Sequence, residues 1–245
     1  MHNNEVFKKY LHETQKIVEV PMHSHSNGQL SYISKGTMHL ITPDAAWVVP
    51  QQRIIWIPPG QIHSARCRKL SGSWKIMTPK SYGKFLPKVV SVLQTSNLLV
   101  AALESLPEDQ KSISADKLKL LIEVIKLELQ LAKSESFGVA LPRTAQLGKL
   151  VDTLLEHPED ERGIDEWSQA IGMSRRTFTR KFTAETGSTF GQWKKALLLG
   201  KALDLLAEGS SVSETAYALG YSGPSAFVAA FRKRFGIPPG QFLSQ

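Results

Sequence analysis

Short apolar runs separated by turn residues fill the chain between Glu19 and Thr78. The runs QLSYI, TMHLI, AWVVP and RIIWIP are rich in β-branched and aromatic residues, and proline and glycine lie between them. Such runs are typical of strands, and turn signals without intervening helical segments favour antiparallel hairpins. The pattern predicts a sandwich or a small β-barrel in the front of the chain.

The apolar pattern becomes helical after Lys84. We expect helices at 85–94, 97–106 and 115–134. In the last one, apolar residues recur four, three and four apart, at Leu118, Ile122, Ile125 and Leu129. Such a face has to be buried, either on the molecule's own sheet or on a second copy of the chain. We expect a homodimer that forms through helices within 85–134.

The remainder of the chain is helical and contains an internal repeat. Gly172-x-Ser174 returns 48 residues later as Gly220-x-Ser222, and Phe182, Gly187 and Gly191-Gln192-Trp193 return 49 residues later as Phe231, Gly236 and Gly240-Gln241-Phe242. Each copy has a short helix, a glycine turn and a second helix opened by a serine, which predicts two helix-turn-helix units. We expect a rigid connecting helix at 192–207 to hold the two second helices about 34 Å apart, which is one turn of DNA.

These patterns predict a multidomain α+β protein. We expect a barrel domain at 1–80, a helical dimerisation segment at 81–135, a linker at 136–143 and an all-α domain at 144–245.

The second helix of the first copy carries basic and hydroxyl side chains on one side. Phe178 and Phe182 are four residues apart and supply its buried face, so the arginines and threonines point outward. Side chains at the start of such a helix reach base edges in the major groove, and later basic ones meet phosphates. The candidate DNA contacts of this copy are Ser174, Arg175, Arg176, Thr177, Thr179, Arg180 and Lys181.

The matching helix of the second copy has few side chains that could read bases. We expect Ser222 to cap it and Pro224 to lie in its first turn, where proline is favoured. Its candidate contacts are Ser222, Pro224, Ser225, Ala226, Ala229 and Arg232. Alanine can only touch a thymine methyl group, so we expect this helix to bind mainly the DNA backbone.

The segment from Asp165 to Phe242 resembles the DNA-binding domain of AraC/XylS-type transcription regulators. The resemblance rests on Ala170-x-Gly172-x-Ser174, Phe182-x4-Gly187, Ala202-x2-Leu205-Leu206, Ala216-x3-Gly220-Tyr221-x4-Ala226-Phe227 and Phe231-Arg232-x2-Phe235-Gly236-x-Pro238-Pro239. It implies DNA contacts at Arg175, Arg176, Thr179, Arg180, Pro224, Ser225, Ala226 and Ala229. It further implies a small-molecule effector, RNA polymerase as a partner and, more often than repression, activation. Leu197 stands where many members have an arginine, which puts one phosphate contact in doubt.

Three histidines of the front domain form a candidate metal site. His23 and His25, two residues apart on a strand, point to the same side and can meet Gln29 and His63. Three imidazoles and a carboxamide oxygen suit one divalent transition metal ion such as Zn, Ni, Fe or Mn. The spacing resembles the cupin motifs, His-x-His-x3-Gln-x6-Gly and Pro-x-Gly-x2-His, although an acidic residue is common where Gln29 stands.

A sensor pocket without metal is the other interpretation of this barrel. Aromatic and apolar strand residues would line the effector pocket, and the candidates are Tyr32, Met38, Trp47, Trp56 and Cys67. Most of these side chains could equally be core.

Charge and composition narrow the classes of function. The net charge is +8, with 17 basic and 11 acidic residues up to Leu141 and 13 and 11 after it, so a nucleic-acid partner has to be argued from local clusters. The single cysteine, Cys67, excludes an internal disulfide. The sequence has neither a membrane-length apolar stretch nor a secretory signal, so we expect a cytoplasmic protein without a membrane partner.

Three functions remain in competition. The leading hypothesis is a sequence-specific transcription regulator that binds double-stranded DNA and is not an enzyme. A metal-dependent cupin oxygenase or isomerase with a helical accessory domain is the alternative, but no acid or base carboxylate accompanies the histidines in the motif. A protein that coats DNA without sequence preference is the third.

Overall fold

The chain forms two compact units. The computed structural model describes residues 8–14, 16–79, 84–107, 112–135 and 137–243. One unit holds 1–38 and 49–136, and the other holds 39–48 and 137–245. The first is built on strands with two helices and the second is mainly helical, which confirms the predicted α+β class.

The strands form two antiparallel sheets, of six and five strands among the described residues. They are β1 (Lys8–His12), β2 (Val18–His23), β3 (Gly28–Ile33), β4 (Lys35–Ile41), β5 (Ala45–Val49), β6 (Arg53–Ile57), β7 (His63–Ser71), β8 (Ser73–Thr78), β9 (Ser91–Gln94), β10 (Ser134–Glu135) and β11 (Gly138–Ala140). The six-stranded sheet has the order β1-β8-β3-β6-β9-β10. Elsewhere β2 pairs with β7, and β5 with β11. Two antiparallel sheets agree with the predicted sandwich or small barrel.

The helices agree with the sequence pattern in most places. They are α1 (Asn97–Glu104), α2 (Ala115–Leu131), α3 (Ala145–Glu156), α4 (Ile164–Ala170), α5 (Arg175–Thr186), α6 (Phe190–Ala207), α7 (Val212–Ala218), α8 (Pro224–Phe235) and α9 (Pro239–Leu243). The helix predicted at 85–94 is wrong, because Ser91–Gln94 is strand β9 between β6 and β10. A short apolar run such as VVSVL fits a buried strand as well as a helix, and periodicity alone does not separate them.

The six-stranded sheet uses one face to bury the two helices of its unit. On β3, Leu30 and Tyr32 are buried in a cluster with Trp74 of β8 and with Ile125 and Leu129 of α2. The predicted apolar face of α2 therefore packs on its own sheet. Because side chains alternate along a strand, the residues between these on β3 and β8 point to the opposite face, which we call the inner face.

The segment 39–48 is built into the second unit. Its strand β5 pairs with β11, where Trp47 lies opposite Gly138. His39 Nε2 lies 2.8 Å from Asp204 Oδ1 of α6, and the Asp204 side chain is only 3% exposed. The stretch 136–143, expected to be a linker, thus contains part of a strand pair.

The helices α3, α4, α5 and α6 share one core. Phe178 and Phe182 of α5 are fully buried beside Phe190 and Trp193 of α6, and α3 adds Leu147. The rings of Phe178 and Phe182 stack, with centroids 5.6 Å apart, which confirms the predicted buried face of the first copy. No helix in the described part of the chain is long and apolar enough to cross a membrane.

Candidate DNA interface and histidine site

The first helix-turn-helix unit is formed by α4 and α5. Gly172 in the turn has φ +67°, a left-handed conformation that glycine adopts without strain. Ser174 precedes α5, and its hydroxyl accepts a hydrogen bond from the Thr177 backbone N–H at 3.2 Å. This confirms the predicted serine cap, which satisfies one of the free N–H groups at the helix start.

The outer side of α5 presents the predicted base-reading side chains. Ser174, Arg175, Arg176, Thr179 and Arg180 are exposed, whereas Thr177 and Lys181 are half-buried. Arg175 forms an ion pair with Asp165 of α4, with Nη1 2.7 Å from a carboxylate oxygen. Both side chains are exposed, and such a pair contributes only about 0–1 kcal/mol, so it can open to contact a ligand.

The second helix-turn-helix unit is formed by α7 and α8, and its second helix begins at a different residue than predicted. The N-cap of α8 is Gly223, without a side-chain hydrogen bond, and Pro224 occupies the first turn. Ser222 lies one residue too early to cap, so the predicted cap is wrong. The physical reason is the one residue inserted in the second copy between its serine and Phe231, which moves the helix start past Ser222.

An open groove along α8 contains most of the candidate DNA contacts of the second helix-turn-helix unit. Its lining residues are Pro224, Ser225, Val228, Ala229, Arg232, Lys233 and Gly236. Ser222, Ser225, Ala226, Ala229 and Arg232 are exposed and Pro224 is half-buried. Arg234, which follows them on α8, donates to the Gly138 carbonyl at 2.7 Å and points inward.

The three histidines of the first unit come together. His23 of β2 pairs in register with His63 of β7, and their ring centroids are 4.3 Å apart. His25 lies 5.1 Å from His63 and 6.0 Å from His23 by the same measure. One ring nitrogen from each residue falls in a group whose members lie within 4.8 Å of one another. His63 is buried, His25 half-buried and His23 exposed.

Backbone carbonyls orient all three rings. The Nδ1 atoms of His23, His25 and His63 lie 2.8, 2.5 and 2.9 Å from the carbonyl oxygens of Pro21, Asn27 and Gln61. A carbonyl can only accept, so each Nδ1 carries the proton and each Nε2 keeps its lone pair. His25 Nε2 is buried without a hydrogen-bond partner among the described residues. A carbonyl that holds the second ring nitrogen in this way is typical of metal-binding histidines.

The side chains that act electrostatically on the pKa of His63 are all bases. Burial lowers the pKa of His63, the hydrogen bond to the Gln61 carbonyl opposes this shift, and the neighbouring bases His23, His25 and Lys75 lower the pKa further. The imidazole that a metal ion requires is the neutral form, which this environment favours. Sequence motifs had not pointed to Lys75.

Gln29, the fourth predicted ligand, is buried on β3. Its Nε2 donates to Ser31 Oγ at 2.9 Å. Both residues lie on the inner face, because Leu30 between them belongs to the helix-covered side.

Four of the five predicted effector-pocket residues are buried core side chains. Tyr32 and Trp56 belong to the core between the six-stranded sheet and the helices, and Trp56 donates to the Pro87 carbonyl at 2.8 Å. Trp47 lies in the second unit beside Gly138. Met38 and Cys67 are buried, and burial raises the pKa of the Cys67 thiol to about 11, as expected for an inert cysteine.

Two family models match the chain. The AraC-like ligand binding domain covers residues 11–115, and a helix-turn-helix domain covers residues 167–245.

Transcription regulators are among the proteins to which this chain is similar. The HTH-type transcriptional regulator NimR of Escherichia coli K12 is 27% identical over 226 residues, which are 92% of this chain and 82% of NimR. The HTH-type transcriptional activator RhaS of E. coli SMS-3-5 is 31% identical over 150 residues, 61% of this chain and 53% of RhaS. A solved structure of ToxT from Vibrio cholerae is 13% identical, with 97% of this chain and 98% of that chain covered and a TM-score of 0.41.

Proposed function

This chain is a member of the AraC family of DNA-binding transcription regulators, and we propose that a metal ion and a small-molecule effector in its first unit control its sequence-specific binding. The observation that carries the proposal is the pairing of an exposed basic helix, α5, with a carbonyl-oriented histidine site in the same chain. An effector acts by favouring one of two arrangements of the protein, so it has to bind them with different affinity.

The DNA-binding half of the proposal places α5 in a major groove. Arg176, Thr179 and Arg180 are exposed on the side opposite the buried phenylalanines. Arginine binds guanine through two hydrogen bonds, and this is the commonest base-specific contact in the major groove. In α8 the exposed alanines offer little discrimination, so Arg232 and Lys233 would bind phosphates there.

Selection of bound duplexes from random DNA tests this half. We expect one enriched motif whose affinity falls steeply with salt, because phosphate contacts release counterions. Equal affinity for all duplexes would instead identify a protein that coats DNA without preference.

The metal half rests on the fit of the histidines. Three lone pairs within a few ångströms of one another suit the ligand distances of about 2.0–2.2 Å for a divalent transition metal. The ion would bind Nε2 of His23, His25 and His63, and it would supply a positive charge that draws an effector's donor atom. Gln29 is the candidate for a fourth position.

Elemental analysis of the purified protein tests the metal half. We expect about one equivalent of Zn, Ni, Fe or Mn, lost in a His63→Ala variant and kept in a His157→Ala variant, since His157 lies at the end of α3. Absence of stoichiometric metal in protein grown with all four ions would contradict it.

We also propose a homodimer, in which α2 pairs with the same helix of a second copy. Its outer side carries Leu120, Leu127 and Leu131, which are 69%, 56% and 68% exposed, and half-buried Val124 borders them where it packs on the core. With Val124 at their edge the spacing is four, three and four, which is that of a coiled-coil seam, and the same helix of a second copy would cover the exposed leucines. Sedimentation should give a dimer for the native chain and a monomer for Leu127→Lys, with Lys119→Glu as a control off the seam.

The remaining proposals concern the sign and place of regulation. We propose activation through RNA polymerase, in the cytoplasm where the DNA lies, since the relative RhaS is named a transcriptional activator. Transcription with purified polymerase and a template that carries the selected motif measures the sign directly.

A further inference from the structure

Equivalent positions of the two helix-turn-helix units carry opposite charges. The internal repeat has an offset of 49 residues between Phe182 and Phe231. The same offset relates Glu185 of α5 to Arg234 of α8. Both charged side chains are half-buried, and both bind one stretch of backbone, residues 137–144, which we call the β11 segment. All of these residues belong to the second compact unit.

The charge of each side chain matches the backbone groups that it binds. Glu185 Oε2 accepts hydrogen bonds from the backbone N–H groups of Arg143 and Thr144, at 2.7 and 2.8 Å. Arg234 Nη2 donates to the Gly138 carbonyl at 2.7 Å. A carboxylate can only accept and a guanidinium can only donate, so each residue binds one kind of backbone group. Hydrogen bonds with a charged partner are about twice as strong as neutral ones.

Side chains of α6 and α8 bind the edge of β11 that faces away from β5. The Phe137 carbonyl and the Leu141 N–H form hydrogen bonds with β5 and the residue before it. Backbone groups alternate between the two edges of a strand, so the carbonyls of Gly138 and Ala140 face the other edge. The indole N–H of Trp193 on α6 donates to the Ala140 carbonyl at 2.7 Å. With the arginine of α8 on the Gly138 carbonyl, both carbonyls of this edge are bound by helices of the DNA-binding region.

Ring contacts connect the β11 segment to the core of each helix-turn-helix unit. Trp193 packs edge-on against Phe182 of α5, with ring centroids 5.6 Å apart. Phe235 of α8 stacks on Phe137, at 5.0 Å, and packs edge-on against Phe231, at 4.6 Å. Because protein cores are close-packed, a shift of the β11 segment would disturb the seating of both α5 and α8.

We propose that Glu185 and Arg234 are positioning residues, which fix α5 and α8 relative to each other by holding the β11 segment between them. Charged side chains cost free energy when they are buried unless they are hydrogen-bonded, so apolar residues would serve packing alone at lower cost. Directional bonds to named backbone groups instead specify one position of the segment. The inference rests on the proposed function, because it adds a determinant to the placement of the two helices on DNA.

A distance measurement between α5 and α8 in the full chain tests the proposal. Spin labels on Ala184→Cys and Ala229→Cys, at exposed positions of the two helices, give the distribution of that distance by pulsed electron paramagnetic resonance. Cys67→Ala removes the native thiol. We expect one narrow distribution in this background and a broader one when Arg234→Met or Glu185→Ala is added, because the released helix then samples more than one position.

Matched controls separate positioning from a change of charge. Arg232→Met removes an exposed arginine from the same helix, and Glu156→Ala removes an exposed carboxylate from the end of α3, so both should keep the narrow distribution. Circular dichroism establishes that each variant is folded. Trp193→Phe is the milder second variant, because it keeps the buried ring and removes only the N–H that binds Ala140, and it should also broaden the distribution.

Two DNA duplexes test the same effect on binding. The longer duplex carries the selected motif and a further turn of DNA for α8, and the shorter one ends after the groove that α5 occupies. Arg234→Met should lose roughly tenfold of the affinity that the native chain gains from the longer duplex, the scale of one charge-assisted hydrogen bond. Its affinity for the shorter duplex should stay within roughly threefold of native, whereas a variant that is merely less stable would weaken on both duplexes alike.

Two results would overturn the inference. They are a distance distribution of native width in folded Arg234→Met and Glu185→Ala, and equal losses of affinity on the two duplexes. A native chain that selects no motif from random DNA contradicts the proposed function instead. A chain that selects its motif but keeps native distances in these variants loses only the positioning role of the two residues.

Discussion

The two helix-turn-helix units share one plan and differ in the chemistry of their second helices. Both bury a pair of phenylalanines four residues apart, Phe178 with Phe182 and Phe227 with Phe231. Their exposed sides diverge, since α5 presents arginine and threonine whereas α8 presents serine and alanine. A duplicated scaffold has thus kept its core while its surface changed, which separates the residues that hold the fold from those that recognise DNA.

The cores of the two helix-turn-helix units should contribute about equally to the free energy of unfolding. Phe182→Ala and Phe231→Ala each remove a fully buried ring, and we expect each to lower the free energy of unfolding by about 3–5 kcal/mol. Thermal or urea unfolding of the full chain measures both. A cost below about 1 kcal/mol in either unit would show that its core is not equivalent to the other.

The two helix-turn-helix units should differ most in their contribution to DNA affinity. We expect Arg176→Ala to weaken operator binding by about 1–3 kcal/mol and to relax the preference at one base pair. Ser225→Ala, in the corresponding region of α8, should cost less and leave the preference unchanged. Competition assays with single-base operator variants compare them, and equal losses of specificity would contradict the assignment of base reading to α5.

The two helix-turn-helix units also differ at the N-terminal caps of α5 and α8, where the expected effect on stability is smaller. Ser174 Oγ caps α5, so Ser174→Ala should lower the free energy of unfolding by about 1 kcal/mol. Ser222→Ala should change it little, because Gly223 begins α8 without a side-chain hydrogen bond. The two variants carry the same chemical change, so each serves as the control for the other in one unfolding experiment.

The replacement of Arg232 is expected to have the smallest effect on DNA binding. Its replacement by glutamine should weaken binding to all duplexes alike and reduce the slope of log affinity against log salt by about one. Titrations at several salt concentrations give that slope. A changed base preference would instead place Arg232 against a base.

Sequence patterns were sufficient wherever local chemistry decides the structure. The glycine turns, the buried phenylalanines and the ends of α4, α5 and α6 follow from short-range signals in the second half of the chain. The meeting of the three histidines was also predictable, because two sequence motifs carry them, but the expectation that His23 and His25 share a strand is wrong, since β2 ends at His23 and His25 lies beyond it.

The predictions that failed depend on contacts between segments that are distant along the chain. The run at 91–94 became β9 because β6 and β10 flank it in the sheet. Tyr32 and Trp56 were expected in a pocket, yet both lie on the face that α1 and α2 cover. Composition cannot show which face of a strand a helix will choose, and for the same reason Lys75 carried no signal.

The placement of 39–48 in the second unit has a consequence for how the chain is made. Asp204 is 165 residues beyond its hydrogen-bond partner His39, so the hairpin leaves the ribosome long before α6 exists. Contacts so distant in sequence close late and slowly. A fragment that begins at 144 would lack β5 and β11, and with them the Gly138 carbonyl that accepts from Arg234 and the His39 ring beside Asp204. The second compact unit is therefore built from two separate segments of the chain, 39–48 and 137–245, and only the whole chain contains both.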